Sequence, residues 1–177
     1  MRVEKVLPKA VVVFLRRNGK VLLAIKMDKI GKGCYNGYGG GLENEDNGSL
    51  RKAAVRETRE ETRKERTGII IKPEDLIKRA IINCHNMKSD GSTFICELHV
   101  FEAYEFSGEA EDTEEMVDAA WFLEDMLPKT MPCDPDWLGL ILKHKDKKFR
   151  ANTFMGPFQK EKIRETEIWE VDDLSDD

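Results

Sequence analysis

One long helical segment, set between strand-like runs, most constrains the fold of this chain. Residues 49–66 consist largely of good helix formers, and Ser49 is a suitable N-cap because its hydroxyl can accept a hydrogen bond from a first-turn N–H. Runs of β-branched and aromatic residues precede and follow this segment, and they predict strands. Strands on both sides of one long helix predict helices that pack against a mixed sheet.

Two short dipeptides predict where pairs of strands reverse direction. Asn18-Gly19 and Asp90-Gly91 each lie between two apolar, strand-like runs. Asn18-Gly19 favours a type I′ turn, since both residues tolerate the positive φ that such a turn requires, and Asp90-Gly91 indicates a second hairpin turn. Strands are therefore predicted at residues 10–15, 20–26, 68–72, 79–87, 93–106, 115–123, 149–155 and 162–171. A second helix is predicted at residues 134–144, with Asp134 as its N-cap.

The bulk properties of the chain bound its class. Its 177 residues suit one domain, and we predict a single domain over residues 1–171, followed by an acidic, disordered tail at residues 172–177. No apolar run approaches the roughly 18–20 residues that span a bilayer, so no membrane partner is expected. The net charge of −5 argues against duplex nucleic acid as a partner. The four cysteines are far apart in sequence, which favours reduced thiols in a cytoplasmic protein.

Three glutamates on the predicted helix carry the strongest chemical signal. Glu57, Glu60 and Glu61 have the spacing i, i+3 and i+4, so their side chains share one face within a single turn. Two carboxylates about 5 Å apart repel each other by roughly 3 kcal/mol at an effective dielectric constant of about 20. A divalent cation would remove this repulsion. Oxygen ligands without histidine or cysteine favour Mg²⁺, with Mn²⁺ as a possible substitute.

A solvated helix surface is the alternative explanation of this acidic cluster. Arg56, Arg59, Arg63 and Lys64 alternate with the glutamates and would form surface ion pairs with them. The glycine triplet at residues 39–41 favours a functional site instead, because glycine lets the backbone approach a phosphate or a metal ion closely. The helix is therefore a candidate metal site.

Residues 40–69 resemble the Nudix box, in which a glycine and a glutamate precede the pattern Arg-Glu-apolar-x-Glu-Glu-x-Gly-apolar. The resemblance implies a Nudix-type α/β/α sandwich, an α+β fold with a mixed β-sheet between helices. It implies that Glu57, Glu60 and Glu61 bind metal ions and that Arg56 orients them. It also implies that the Gly39 carbonyl oxygen touches a metal ion and that water cleaves a phosphoanhydride bond of the substrate.

Segments outside the box resemble the MutT-like branch of this family, the oxidised purine nucleoside triphosphatases. The matching segments are residues 35–40, Glu115-Met116 with Trp121-Phe122, residues 131–134 before Trp137, and residues 148–171. The resemblance implies that Asn36 and Asp134 contact the purine and that Glu115 reaches the metal site from outside the helix. Further substrate-binding residues that it implies are Tyr38, Gly40 and Met131.

The first glutamate of the box is missing from this chain. Gly48 stands in its place, and the loop before it is one residue longer than the family pattern. Glu43, Glu45 and Asp46 are the candidate substitutes, and the alternative is that the supporting role of this glutamate is lost.

Other departures affect the helix and the base pocket. Thr58 replaces an apolar residue, and about five residues, 63–67, are inserted before the glycine of the box, which predicts a longer helix. In the pocket, Met131 replaces a tryptophan and Cys133 replaces an acid. The chemistry is therefore better supported by the sequence than the identity of the base.

These features predict an Mg²⁺-dependent enzyme that hydrolyses a nucleoside triphosphate, such as the oxidised purine nucleotide 8-oxo-dGTP, to the monophosphate and pyrophosphate. Two alternatives stay open: a Nudix hydrolase of ADP-ribose, a dinucleoside polyphosphate or capped RNA, and a Nudix module that binds nucleotide without catalysis. Glu60, Glu61 and Glu115 are all candidates for the catalytic base that accepts a proton from water. We expect a monomer whose partner is its nucleotide substrate.

Overall fold

A single mixed sheet organises the structure, a computed structural model that describes residues 4–174. Its strands are β1 (Lys9–Arg17), β2 (Lys20–Lys26), β3 (Tyr35–Asn36), β4 (Tyr38–Gly41), β5 (Leu76–Met87), β6 (Thr93–Ala103), β7 (Met116–Leu123), β8 (Lys148–Met155) and β9 (Lys162–Val171). The helices are α1 (Leu50–Thr62) and α2 (Leu138–Lys143). The strand order is β3-β2-β1-β6-β5-β8-β9, with β4 also paired to β1 and β7 to β2.

The two predicted hairpins form where the dipeptides place them. Asn18 and Gly19 have φ values of 51° and 72°, as a type I′ turn between β1 and β2 requires. Gly91 has a φ of 86° in the turn between β5 and β6. The pairs β1–β6 and β5–β8 are parallel, whereas every other pair in the described sheet is antiparallel. The sheet is therefore mixed, as predicted.

Both faces of the sheet are covered, because β1 is apolar on both sides. Val11 and Val13 point toward α1 and pack in one core with Ala53. Val12 and Phe14 point the other way and pack in a second core with α2. Burial of each large apolar side chain stabilises the fold by about 1.5–3 kcal/mol. The predicted α+β class and the α/β/α sandwich are confirmed.

The first helix ends earlier than predicted. It stops at Thr62, and the inserted residues 63–67 form a loop, so the predicted longer helix is wrong. The Glu111 carboxylate accepts hydrogen bonds from the backbone N–H groups of Lys64, Glu65 and Arg66 at 3.0, 3.2 and 2.9 Å. These N–H groups bind a distant side chain, so they are not used to continue the helix.

Three other predicted elements differ from the structure. Residues 68–72 contribute only a single bridge, between Ile70 and Ser107, instead of a strand. The helix predicted at residues 134–144 is a 3-10 turn, Asp134–Asp136, followed by α2. Asp134 is not the N-cap of this segment, since its carboxylate accepts a hydrogen bond from the preceding Met131 N–H instead. Strand β6 ends at Ala103, before the predicted residue 106.

The chain end follows the sheet for a few residues beyond β9. Asp173 lies 3.7 Å from the Lys148 ammonium group, and Leu174 is buried. The predicted acidic tail continues to residue 177, and residues 175–177 lie outside the described residues. No helix within residues 4–174 is long and apolar enough to cross a membrane.

Candidate active site

Helix α1 positions the three predicted glutamates against the sheet. Ser49 caps its start, with its hydroxyl accepting a hydrogen bond from the Lys52 N–H at 3.2 Å. Ala53 and Ala54 are fully buried, so this face of the helix packs closely on the sheet. Thr58 is also buried and donates its hydroxyl to the Ala54 carbonyl oxygen at 2.8 Å, which allows a polar residue at an apolar position.

Strand β4 must be built from glycine where it faces these carboxylates. A Cβ atom on Gly40 would lie 2.6 Å from the Glu57 carboxylate, and one on Gly39 would overlap the Val11 carbonyl oxygen. The Gly39 N–H donates to the Glu61 carboxylate at 2.9 Å. Because the strand has no side chains here, the backbone and the two carboxylates come into direct contact.

Burial and mutual repulsion make ionisation of the cluster costly. The Glu61 side chain is only 6 % exposed, and this burial raises its pKa to about 8 against the opposing hydrogen bond from Gly39. Burial also raises the pKa of Glu57, with Glu60 and Glu115 adding to the effect. Glu115 acts on the pKa values of both Glu57 and Glu61 although it precedes β7, far along the chain. The fold therefore brings the predicted acids into one electrostatic unit.

The predicted acids differ in exposure. Glu60 is 52 % exposed and accepts a hydrogen bond from Arg56 at 3.2 Å. Glu115 is also half-exposed, and its carboxylate lies 3.7 Å from the Lys29 ammonium group. Both side chains can therefore move toward a ligand with little loss of packing.

Arg56 is held by Asp46. Its guanidinium donates to both oxygens of the Asp46 carboxylate, at 3.0 and 2.8 Å, and to the Gly41 carbonyl oxygen at 3.1 Å. It also donates to Glu57 at 2.9 Å. The Arg56 hydrogen bonds lower the pKa of Asp46, which is only 2 % exposed. Arg56 thus links one buried carboxylate to the predicted metal ligand Glu57.

Of the three acids considered as substitutes for the missing box glutamate, Asp46 is the one that accepts hydrogen bonds from Arg56. Glu43 and Glu45 stay 3.8 and 3.7 Å from the guanidinium and are exposed to solvent. Gly48 has a φ of +77°, and a Cβ atom at this position would have no neighbour within 4 Å. The longer loop therefore turns at Gly48 and lets Asp46, two residues earlier, reach Arg56.

A cavity of about 210 Å³ is lined by Glu61 and by residues of the predicted base pocket, whereas Glu57, Glu60 and Glu115 lie outside its lining. Gly39, Gly40 and Glu61 line one part of it, and Asn36, Met131 and Asp134 line another. Tyr38 lies outside this lining, because its ring is buried in the core under α1. The structure therefore brings the predicted substrate-binding residues together, with the exception of Tyr38.

Asn36 and Asp134 supply polar side chains to the predicted base pocket. The Asn36 side-chain oxygen accepts a hydrogen bond from the Gly37 N–H at 2.8 Å, which fixes the orientation of its amide. Asp134 is buried, and burial raises its pKa to about 7. Near neutral pH the Asp134 carboxyl group can therefore act as a donor or an acceptor toward a ligand.

Sequence reasoning missed Lys26, the last residue of β2. Lys26 lines the cavity and lowers the pKa values of both Glu61 and Asp134 through its positive charge. Its charge therefore acts on both the acidic part and the base-pocket part of the cavity. No motif marks it, because a basic residue at the end of a strand is common on protein surfaces.

The donor set suits a hard divalent cation. The Glu57 and Glu61 carboxylates lie against the backbone of β4, where only glycine fits, and the charges of Glu60 and Glu115 act on Glu57. Oxygen donors of this kind are typical ligands of Mg²⁺ and Mn²⁺. Among residues 4–174, no group of three or more His, Cys, Asp or Glu side chains is arranged to hold a metal ion unaided. Backbone oxygen, water or substrate phosphate would have to complete the ligand set.

Comparison with known proteins matches this geometry to a family. The NUDIX domain family matches residues 6–139 of the chain. The oxidized purine nucleoside triphosphate hydrolase of Danio rerio is 29 % identical over 169 residues, which cover 92 % of this chain and 94 % of that protein.

Solved structures match the fold at lower sequence identity. The MutT protein of Bacillus halodurans superposes with a TM-score of 0.69 at 21 % identity, covering 90 % of this chain and 96 % of its own. The MutT NUDIX hydrolase of Burkholderia pseudomallei gives a TM-score of 0.60 at 20 % identity, covering 78 % and 98 %. These two structures share the sandwich described above.

Proposed function

Because this chain belongs to the NUDIX family and is a pyrophosphohydrolase of that family, we propose that it hydrolyses a purine nucleoside triphosphate, in particular an oxidised one such as 8-oxo-dGTP. The products are the nucleoside monophosphate and pyrophosphate. The similarity to the Danio rerio enzyme named for this substrate class supports the proposal.

The observation that supports it is one cavity whose lining contains the Glu61 carboxylate and two groups, Asn36 and Asp134, that can form hydrogen bonds with a base. Glu61 and the glycines of β4 line one end, and Asn36 and Asp134 line the other. An amide and a carboxyl group can form hydrogen bonds with the polar edge of a purine. Carboxylates near a phosphate chain require a cation between them, which fits the family's use of divalent metals.

The proposed cofactor is Mg²⁺, with Mn²⁺ as a substitute. Glu57, Glu60, Glu61, Glu115 and the Gly39 carbonyl oxygen would hold the ion. When bound, it neutralises phosphate charge and lowers the pKa of a coordinated water. The burial of Glu57 and Glu61 against β4 supports these two assignments. Glu60 and Glu115 are half-exposed, and their electrostatic effect on Glu57 supports including them.

The protein groups around the phosphates have separate roles. Arg56 holds Glu57 in place through the hydrogen bond at 2.9 Å. Lys26 faces the cavity with a positive charge and would contact a phosphate oxygen. A water molecule attacks one phosphorus in line with the leaving group, and Glu60, Glu61 or Glu115 accepts its proton.

The test is a hydrolysis assay with 8-oxo-dGTP and Mg²⁺. Glu57→Gln and Glu60→Gln should each lower kcat by about 10²-fold or more, because each removes a negative ligand oxygen while keeping its shape. Glu74→Gln, an exposed glutamate in the 3-10 turn Pro73–Asp75, is the matched control and should keep the wild-type rate. Wild-type rates in the Glu57 and Glu60 variants would contradict the proposed metal site.

A panel of substrates tests which nucleotide the enzyme prefers. Comparison of kcat/KM for 8-oxo-dGTP, dGTP, ADP-ribose, a dinucleoside polyphosphate and capped RNA identifies the substrate class directly. We expect the oxidised purine triphosphate to have the highest value. A higher kcat/KM for ADP-ribose would support the proposed hydrolysis but would replace the purine triphosphate as the proposed substrate. Nucleotide binding without turnover of any substrate would identify a non-catalytic module.

A further inference from the structure

Two cysteines of the cavity lie directly opposite each other in the sheet. Cys84 on β5 pairs with Cys96 on β6 in the antiparallel register, between the pairs Asn83–Glu97 and His85–Ile95. Side chains of directly opposed residues point to the same face of an antiparallel sheet. Both thiols line the nucleotide cavity described above, which agrees with this orientation.

Their backbone geometry meets the requirements of a disulfide. Directly opposed residues in antiparallel strands have Cα atoms about 4.5–5.5 Å apart, and disulfides need about 4.4–6.8 Å. The cysteines also influence each other electrostatically, since the Cys96 thiol contributes to the raised pKa of Cys84. A bond between the two sulfurs therefore requires side-chain rotation without a change of register.

The other cysteines are placed differently. Cys133 lines the same cavity, but its sulfur lies 3.0 Å from the Met155 sulfur and is buried against it. Cys34 lies in the loop before β3 and packs next to the same sulfur-rich cluster. Cys84 and Cys96 are thus the only pair of cysteines placed opposite each other by strand pairing within residues 4–174.

We propose that Cys84 and Cys96 form a reversible cross-strand disulfide in the nucleotide cavity when the protein meets a peroxide. The Cys96 thiolate attacks one oxygen of hydrogen peroxide, the O–O bond breaks, and hydroxide leaves, which produces a sulfenic acid. The Cys84 thiol then attacks this sulfur, the S–S bond forms, and water leaves. The two thiols are oxidised, and one peroxide is reduced to two waters.

The environment of the pair sets the rate of this reaction. Burial raises the pKa of Cys84 to about 12 and that of Cys96 to about 11. Little thiolate is present at neutral pH, so the reaction is slow and the pair stays reduced under mild conditions.

The position of the pair makes its oxidation a change in the binding site. Leu98 and Thr153, on the strands that hold or flank the pair, line the same cavity. A disulfide removes two weak S–H donors from this wall and locks two side-chain rotamers. The affinity for the base should change while the acidic end keeps its geometry.

Peptide mapping of the full chain tests the proposal. The protein is treated with hydrogen peroxide in mildly alkaline buffer, alkylated with N-ethylmaleimide and digested with trypsin. Cleavage after Lys88 separates Cys84 from Cys96, so a bridge joins two peptides. We expect loss of two of the four alkylation adducts, a linked peptide pair about 2 Da lighter than the sum of its reduced parts, and full recovery with dithiothreitol.

Serine variants distinguish the Cys84–Cys96 disulfide from oxidation at the other cysteines. Cys84→Ser and Cys96→Ser should each abolish the linked peptides, whereas the control Cys34→Ser should give as much bridge as wild type. Four adducts after peroxide treatment, or a bridge from Cys84 or Cys96 to Cys133, would overturn the proposal. The mapping of the wild-type chain decides the outcome even if a serine variant fails to fold. The readout is independent of hydrolysis, so its failure is distinct from a failure of the proposed function.

Discussion

Replacement of Asp46 by asparagine removes the negative charge that holds Arg56. In the native protein this carboxylate accepts two hydrogen bonds from the guanidinium, at 3.0 and 2.8 Å, and one from the Glu43 N–H at 2.8 Å. Asparagine has nearly the same shape and can still accept the bond from Glu43. The variant therefore isolates the contribution of the charge.

The expected loss of stability follows from the burial of the pair. Asp46 is 2 % exposed and Arg56 is 12 % exposed, so solvent screens their interaction only weakly. Removal of one partner of a buried ion pair costs about 3–5 kcal/mol. Arg56 keeps its bonds to Gly41 and Glu57, which reduces the expected loss to about 2–4 kcal/mol. For a chain of this size, that loss lowers Tm by about 4–16 °C.

The same variant should also impair the site through Glu57. Loss of the residue that supports a metal ligand typically costs about 10–100-fold in activity or metal affinity. We expect kcat for 8-oxo-dGTP to fall by about that factor and the Mg²⁺ concentration for half-maximal rate to rise. Glu45→Gln is the control, because Glu45 is 64 % exposed and lies 3.7 Å from Arg56. It should lower stability by less than about 1 kcal/mol and leave kcat unchanged.

A pH series checks the cause. The folded pKa of Asp46 is lowered, so its contribution to stability is present above the unfolded value of 3.8 and is lost as pH falls through the folded pKa. The stability difference between wild type and Asp46→Asn should therefore shrink in acid. Equal Tm and equal kcat for Asp46→Asn and Glu45→Gln would refute the assignment of Asp46 as the residue that positions Arg56.

Three further predictions concern other parts of the molecule. Gly40→Ala places a Cβ atom 2.6 Å from the Glu57 carboxylate and should lower kcat at least about tenfold. The control Gly139→Ala should keep full activity in the same assay, because its Cβ atom would have no neighbour within 4 Å. The pKa of Asp134 is about 7 in the folded state against 3.8 in the unfolded state, so the free energy of unfolding falls by up to about 4 kcal/mol as pH rises from about 4 to about 8. Asp134→Asn should remove this fall, as urea unfolding at the two pH values can measure. The same stability difference between wild type and variant at both pH values would contradict the prediction. Glu111→Ala removes the acceptor of three backbone N–H groups and should speed tryptic cleavage within residues 63–66, as gel analysis of timed digests can measure, whereas Glu109→Ala should not.

Features with short-range causes could be predicted from the sequence. The turns at Asn18-Gly19 and Asp90-Gly91 form as expected, because the backbone preference of each dipeptide decides the turn locally. The shared face of Glu57, Glu60 and Glu61 follows from helical spacing, and the start of α1 follows from Ser49. The family pattern in the same region added the fold and the chemistry.

Features with long-range causes depended on tertiary contacts. Three acids were candidates to replace the missing glutamate, and only the folded loop, with its left-handed turn at Gly48, shows that Asp46 is the one hydrogen-bonded to Arg56. The end of α1 depends on Glu111, whose carboxylate lies more than forty residues away in sequence from the N–H groups it binds.

The tertiary structure also decided which side chains line the cavity. Lys26 and the opposed pair Cys84 and Cys96 face the cavity because of strand register, and Tyr38 faces the core for the same reason. The spacing of residues along the sequence predicts which of them share a face of one helix or strand. It does not predict which other element packs against that face. The sequence by itself therefore determined the chemistry available to this protein, and the packing of distant segments decided which groups support it and what surrounds the substrate.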